Sequence, residues 1–390
     1  MFKKTLAAAA ILGAFAGSAF AADVTLYGVI DTGFSYMNKS VDGSDDVNTF
    51  QMKGGQQAGN RFGLKGTEDL GNGMKVGFVL ENGFDSDDGT FDSNGDNRIF
   101  GREALLFVEG AFGHVGFGRV GQLAGGAGSY ALAGSNIHPF STGWGTVGAS
   151  TAVFGATAAR FDNMITYKTP SFAGLTVFAQ YSFDNNSQTK DLKNATAHGT
   201  EGKANVDRYY GIGAQYKAGA FEGVVIVDSI NYNSQYVRGT QNGTYDDDAL
   251  SVTLGATYNF GVVKAYLNGQ YFDNSKSFGK KGAILWTAAG NEKCNALEGY
   301  GVNLGLDVPA FGGTAKFAAG YGEAEYTDVA ANAEKPELKV YQISAGYIYP
   351  LSKRTSVWAA ADYASGDYNK AAKLADTDVT EFIFGMTHKF

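Results

Sequence analysis

Val379-Thr380-Glu381-Phe382-Ile383-Phe384-Gly385-Met386-Thr387-His388-Lys389-Phe390 decides how the rest of the chain is read. Neighbouring side chains of an extended strand point to opposite faces. Phe382, Phe384, Met386, His388 and Phe390 therefore share one side, and Glu381, Ile383, Thr387 and Lys389 the other. The first side is greasy and the second mixed.

The pattern repeats upstream. Leu250, Val252, Leu254, Ala256, Tyr258 and Phe260 alternate with Ser251, Thr253, Gly255, Thr257 and Asn259, which predicts a lipid face, a lumen face and an aromatic at the membrane border. The next segment puts Val263, Ala265, Leu267 and Tyr271 outside and Lys264, Asn268 and Gln270 inside. Sixteen strands are predicted: 24–36, 61–67, 74–84, 98–108, 115–120, 160–168, 175–183, 209–216, 222–228, 250–260, 262–272, 300–308, 314–321, 338–349, 355–363 and 379–390. Links such as Glu68 to Gly73, Ala111-Phe112-Gly113 and Tyr349 to Lys353 read as short periplasmic turns, and the long polar stretches as outer loops.

At the start, Met1-Phe2-Lys3-Lys4 is a positive n-region, Leu6 to Phe15 an apolar stretch and Ala19-Phe20-Ala21 a small-x-small cleavage site. Residues 1–21 are read as a secretory signal peptide. The mature chain, 22–390, keeps 29 of the 31 bases against 39 acids, a net charge of −10, which excludes a basic nucleic-acid binder. Beyond the leader no apolar run is long enough to span a bilayer as a helix. Strands that alternate lipid-facing and lumen-facing residues span with near-neutral mean hydropathy. The lone Cys294 has no intrachain partner and is assigned no role. Soluble sandwiches and lipocalin-like barrels also use short amphipathic strands, but a sandwich of this length would split into domains, and no composition shift marks a boundary. The expected fold is all-β: a 16-stranded antiparallel transmembrane β-barrel filling residues 22–390.

Val24-Thr25-Leu26-Tyr27-Gly28-Val29-Ile30-Asp31, Asn60-Arg61-Phe62-Gly63-Leu64-Lys65-Gly66-Thr67-Glu68-Asp69-Leu70-Gly71 and Phe100-Gly101-Arg102 resemble the general porins of beta-proteobacteria and Neisseria. Gly118-Arg119, Asn163 to Tyr167 and Ser352-Lys353-Arg354-Thr355 extend the resemblance over essentially the whole mature chain, as does the aromatic at the end of the last strand. It implies a homotrimer in the Gram-negative outer membrane, with loop three folded into each barrel. Here that loop is Gln122 to Ala159, long, poor in charge and rich in Gly and Ala, which favours a functional segment over a solvated tail. The resemblance also implies that Arg61, Arg102 and Arg160 are constriction-wall arginines and Glu81 an opposing acid.

Alternation adds residues to that wall. With Phe62, Leu64 and Gly66 on one face, Arg61 and Lys65 point inward; with Met74, Val76, Phe78 and Leu80 facing lipid, Lys75 and Glu81 do the same. Phe161, Ile165 and Tyr167 are expected to face out, so that Arg160, Asp162 and Lys168 line the channel. Clustered arginines in a narrow throat attract anions, and their charge survives crowding. Each one alone reads equally well as a wall residue bonded to loop carbonyls. Gln122 to Ala159 contains no Asp or Glu, which leaves Glu81 and Asp162 as the nearest inward acids. The excess acids fall mostly in outer loops, Asp42, Asp45, Asp46, Asp85, Asp87, Asp88, Asp92 and Asp96 among them, where salt screens them. Weak to moderate anion selectivity is expected.

The acidic loops offer oxygen ligands for divalent ions bridging to lipopolysaccharide, but their spacing does not fit an EF-hand and a solvated loop is preferred. Gly116-Phe117-Gly118-Arg119-Val120-Gly121 matches a dinucleotide fingerprint only formally, with no helix to follow. An enzyme would need an activated nucleophile, and His114, His138, His198 and His388 sit in no catalytic motif. An adhesin would need a passenger domain. A sugar-specific channel would need an aromatic track, which the inward Tyr27, Tyr266 and Phe178 do not establish. The expected function is passive diffusion of small hydrophilic solutes and ions, with no cofactor and no metal.

Overall fold

A computed structural model of the chain describes residues 24–91, 98–155, 160–186, 201, 206–232, 247–280, 282–287 and 296–390. The expected leader, residues 1–21, and Cys294, Asp92, Asp96 and His198 lie outside the described residues. No helix among those described is long and apolar enough to cross a membrane.

The strands, in chain order, are β1 (Thr25–Val41), β2 (Val47–Gly54), β3 (Arg61–Gly71), β4 (Met74–Gly83), β5 (Glu103–Gly110), β6 (Gly113–Gly121), β7 (Arg160–Lys168), β8 (Leu175–Ser182), β9 (Arg208–Ala218) and β10 (Phe221–Asn231). They continue as β11 (Ala249–Asn259), β12 (Lys264–Ser275), β13 (Ser277–Lys280), β14 (Ile284–Thr287), β15 (Leu297–Ala310), β16 (Gly313–Tyr326), β17 (Glu337–Pro350), β18 (Thr355–Tyr368) and β19 (Thr377–Lys389). Sixteen of these close into one antiparallel barrel, in which β1 pairs with β3, β12 passes over β13 and β14 to pair with β15, and β19 returns to β1. Along the closing seam Val29 faces Lys389 and Val41 faces Thr377. Closure leaves no edge strand whose backbone groups would be stranded in lipid.

The wall is dressed inversely to a soluble protein. Leu254, Leu304 and Ile343 are 52%, 58% and 61% exposed on the outside, while the alternating Thr253, Asn303 and Gln342 are buried at 1%, 1% and 4%. An apolar exterior around a polar interior is what a membrane barrel requires. The short turns follow local chemistry: Asn72 and Gly73 join β3 to β4 with φ of 53° and 74°, the paired left-handed conformations of a two-residue hairpin turn that favours Asn-Gly.

Four departures from simple alternation shape the interior. β2, not anticipated, pairs with the far half of β1 where β3 has stopped, Lys39 facing Val47; the chain between them, 55–60, turns in to let Asp31 accept from the Gln56 and Gln57 amides at 2.7 and 3.2 Å. The expected strand 98–108 begins only at Glu103. β13 and β14 form a separate hairpin. Finally, Asn163 adopts φ 51° and breaks the period of β7. Ile165 and Tyr167 still face out, but Phe161 is buried against Tyr209, ring centroids 4.7 Å apart, not turned to lipid as alternation alone predicts.

Candidate pore constriction

Three arginines from separate parts of the chain reach one cavity of about 850 Å³. Arg61 opens β3, Arg102 precedes β5 and Arg160 opens β7, and all three line it together with Glu81 and Lys65. The inward turn at 55–60 holds Arg61, whose Nη1 donates to the Gly59 carbonyl at 2.8 Å. Glu81 stands beside the arginines: Arg102 Nε donates to its Oε1 at 2.6 Å, Arg61 Nε lies 3.6 Å from its Oε2, and Tyr27 donates its hydroxyl at 3.0 Å. β4 lies next to β3 in the wall, so this carboxylate neutralises part of the cluster in place instead of opposing it from across the lumen.

Arg160 has no such partner. Among the described residues no carboxylate approaches its guanidinium within ion-pair distance, and its buried Nε makes no hydrogen bond. Lys65 places its ammonium 5.1 Å from the centre of the Tyr27 ring. Lys316 of β16 also reaches the cavity, held by Asp307 at 2.8 Å. The lining thus carries five bases, Arg61, Lys65, Arg102, Arg160 and Lys316, and two acids, Glu81 and Glu103.

The other residues singled out from the sequence fall elsewhere. Lys75 and Lys168 line a second cavity of about 650 Å³ at the short-turn end, with Lys217 and His114. Asp162 lines neither; it is 4% exposed, with Arg98 at 2.7 and 2.9 Å and Arg119 at 2.6 Å. Arg98, Arg119 and Lys316 were missed by the sequence reading. For Arg119 the reason is local: Gly118 has φ 135° and the β6–β7 register shifts there, so counting by twos places the residue on the wrong face.

The far lining of the 850 Å³ cavity comes from the segment after β6, including Gly126 to Ser129 and Ser141 to Gly145. Wall glycines seat its side chains. A Cβ added at Gly213 would lie 2.7 Å from Leu132, at Gly255 2.6 Å from Ile137, at Gly305 2.5 Å from Pro139 and at Gly346 2.8 Å from Phe140, and at Gly301 it would overlap the Val153 carbonyl. Polar wall residues bind its backbone: Asn268 donates to the Ile137 carbonyl at 2.7 Å and Ser275 to that of Gly155 at 2.8 Å. The Gly145 amide donates to the Gln56 carbonyl at 2.7 Å, tying the segment to the inward turn. His138 is 1% exposed and accepts at Nδ1 from the Phe140 amide at 3.2 Å. Burial, reinforced by the Lys316 charge, pushes its imidazole down to about 3, so it is neutral at physiological pH.

Among the described residues no three His, Cys, Asp or Glu side chains are arranged to hold a metal ion. In the acidic outer stretch Asp88 accepts from the Thr90 amide and hydroxyl at 2.8 and 2.6 Å, a local turn contact that draws its carboxyl below the usual range.

Comparison with known proteins agrees with this architecture. The family described as Gram-negative porin matches residues 7–371. An outer membrane porin protein of Bordetella pertussis is 33% identical over 412 residues, with all of both chains covered. Outer membrane porin protein 32 of Delftia acidovorans is 30% identical, covering 91% of this chain and 88% of its own. Among solved structures, an anion-selective porin from Comamonas acidovorans superposes with a TM-score of 0.64 at 23% identity, covering 95% of this chain and 100% of that one. The outer membrane channel DcaP of Acinetobacter baumannii gives 0.59 at 16%, covering 96% and 99%. A closed sixteen-stranded barrel with an apolar exterior, a basic internal cavity and this match over most of its length identifies the chain as a member of the Gram-negative porin family, resident in the outer membrane.

Proposed function

We propose that the protein is a general diffusion channel for small hydrophilic solutes and ions that favours anions at its narrowest section. In this reading the segment Gln122 to Gly155 folds into the barrel as loop three, and the throat lies between it and the wall of Arg61, Arg102, Glu81 and Arg160. The observation that carries the preference is the charge balance of that cavity: five bases against two acids in the lining, an excess of base that remains when Lys316 is set against its partner Asp307, with Arg160 making no ion pair among the described residues. A fixed positive potential in a space walled by protein attracts anions and raises the barrier to cations. Lys75, Lys168 and Lys217 extend the basic lining toward the periplasmic mouth, and Asp162 acts by setting Arg98 and Arg119. The description of the Comamonas relative as anion-selective supports the same sign.

A general pore is favoured over a sugar-specific one because the large aromatics Phe140, Trp144 and Trp358 are buried with one another, at 0%, 3% and 3% exposure, and offer no free stacking faces. A homotrimer is the proposed assembly, supported by the trimer form of a structural neighbour from Vibrio cholerae; lipopolysaccharide is the proposed outer-leaflet surrounding. The test is ion selectivity in a planar bilayer under a salt gradient, with neutral variants of the three arginines. Anion preference that weakens in those variants supports the reading, and cation preference in the parent overturns it.

A further inference from the structure

The hairpin of β13 and β14 is spent on the inside of the barrel. Phe278 and Ile284 are each 1% exposed and Trp286 8%, in one apolar cluster with Val153 and Phe154 of the segment after β6 and with Leu338, Val340, Ala364 and Val379 of the wall. The wall makes room for it with glycine: a Cβ at Gly366 would overlap Ile284, and one at Gly322 would lie 3.0 Å from Phe278. At the end of β13, Lys280 is 1% exposed. Its ammonium lies 2.9 and 2.7 Å from the two oxygens of Asp362 on β18 and 3.3 Å from Glu381 on β19. The same carboxylates hold the segment after β6, since Thr146 donates its hydroxyl to Glu381 and the Gly148 amide donates to Asp362 at 3.4 Å.

We propose that this hairpin is a second constricting element, and that Lys280 is the positioning residue that locks it and loop three to one wall. One buried ammonium joins three parts of the chain. The apolar hairpin fills the side of the barrel bounded by β12 to β19, and the open path runs along the opposite, arginine-bearing side. Replacing Lys280 by an apolar residue leaves two buried carboxylates without their ammonium partner, and the neighbouring like charges then draw water and loosen their hold on hairpin and loop together. The inference rests on the proposed role of loop three as the throat, but not on the sign of selectivity.

The experiment is single-channel recording of the full-length protein in symmetric KCl, comparing the parent with Lys280→Met, Lys280→Arg and a variant in which a short Gly-Ser link replaces residues 277–287. Lys280→Met is expected to make brief closures about tenfold more frequent, a modest share of the ratio that breaking a buried charge pair implies. Lys280→Arg, which keeps the charge, is expected to restore the quiet open level. The link variant is expected to conduct more than the parent. A Lys280→Met channel as quiet as the parent overturns the lock, and a link variant with parental conductance overturns the second constriction. Reversal potentials under a gradient separate either result from a failure of the selectivity reading, because Lys280 lies outside the arginine cavity.

Discussion

Arg102 Nε and Glu81 Oε1 stand 2.6 Å apart on one wall of the lumen, with Arg61 near the carboxylate's second oxygen at 3.6 Å. Glu81 is thus a partial neutraliser of the cluster. Glu81→Gln removes a negative charge from among the arginines without shortening the side chain. It is expected to increase the anion-to-cation permeability ratio about twofold to fivefold in dilute salt, with the gain shrinking as salt rises. A reversal potential that shifts toward cation preference would contradict this placement.

Asp162 carries a different load. It is buried between Arg98 and Arg119, so Asp162→Asn removes the buried carboxylate that both guanidinium groups share. The expected cost is about 3 kcal/mol, read as a lower temperature for the shift from folded to unfolded mobility on a gel. An unchanged transition temperature would mean that the cluster adds nothing to stability.

The glycine seats make a steric prediction. Any side chain at Gly301 meets the backbone carbonyl of Val153, which is not the flexible end of a side chain. Gly301→Ala should cost about 1–3 kcal/mol and push the segment away from this wall, lowering single-channel conductance. Parental conductance in a folded Gly301→Ala channel would show that the seat does not position the segment.

His138 gives a pH dependence of defined sign. Its folded value of about 3 lies below its ordinary 6.5, so the unfolded or undocked form binds the proton more readily. Stability of the docked segment is therefore full above pH 6.5 and falls as pH drops toward 3, by at most about 1.4 kcal/mol per unit. The Phe140 amide, which donates to His138 Nδ1, reports this through hydrogen exchange. Corrected for intrinsic rate, its protection should decline from pH 6.5 to pH 4 in the parent and stay level in His138→Gln; level protection in both would refute the assignment.

Much of this was legible in period-two alternation and some of it was not. The strand ending at Phe390 places Glu381 inside and Phe382 outside, where both are found, and the arginines at 61, 102 and 160 do reach one cavity. Alternation fails where the backbone leaves the pleat. Asn163, at positive φ, turns Phe161 inward, and Gly118, also at positive φ, lets Arg119 reach Asp162. It is also blind to contacts across the barrel: nothing local to Asp162 tells of Arg98, 64 positions away, or distinguishes an acid opposite the arginines from Glu81 beside them. The β13–β14 hairpin escaped because two four-residue strands carry too few alternations to register.

The most direct measurement is the reversal potential of the detergent-extracted protein in a planar bilayer under a KCl gradient, compared with Arg160→Gln. Arg160 lines the cavity with no carboxylate of the described residues at ion-pair distance, so a potential of anion-selective sign is predicted for the parent, moving toward zero in the variant. A cation-selective parent, or an anion-selective one that Arg160→Gln leaves unmoved, would contradict an arginine-set throat.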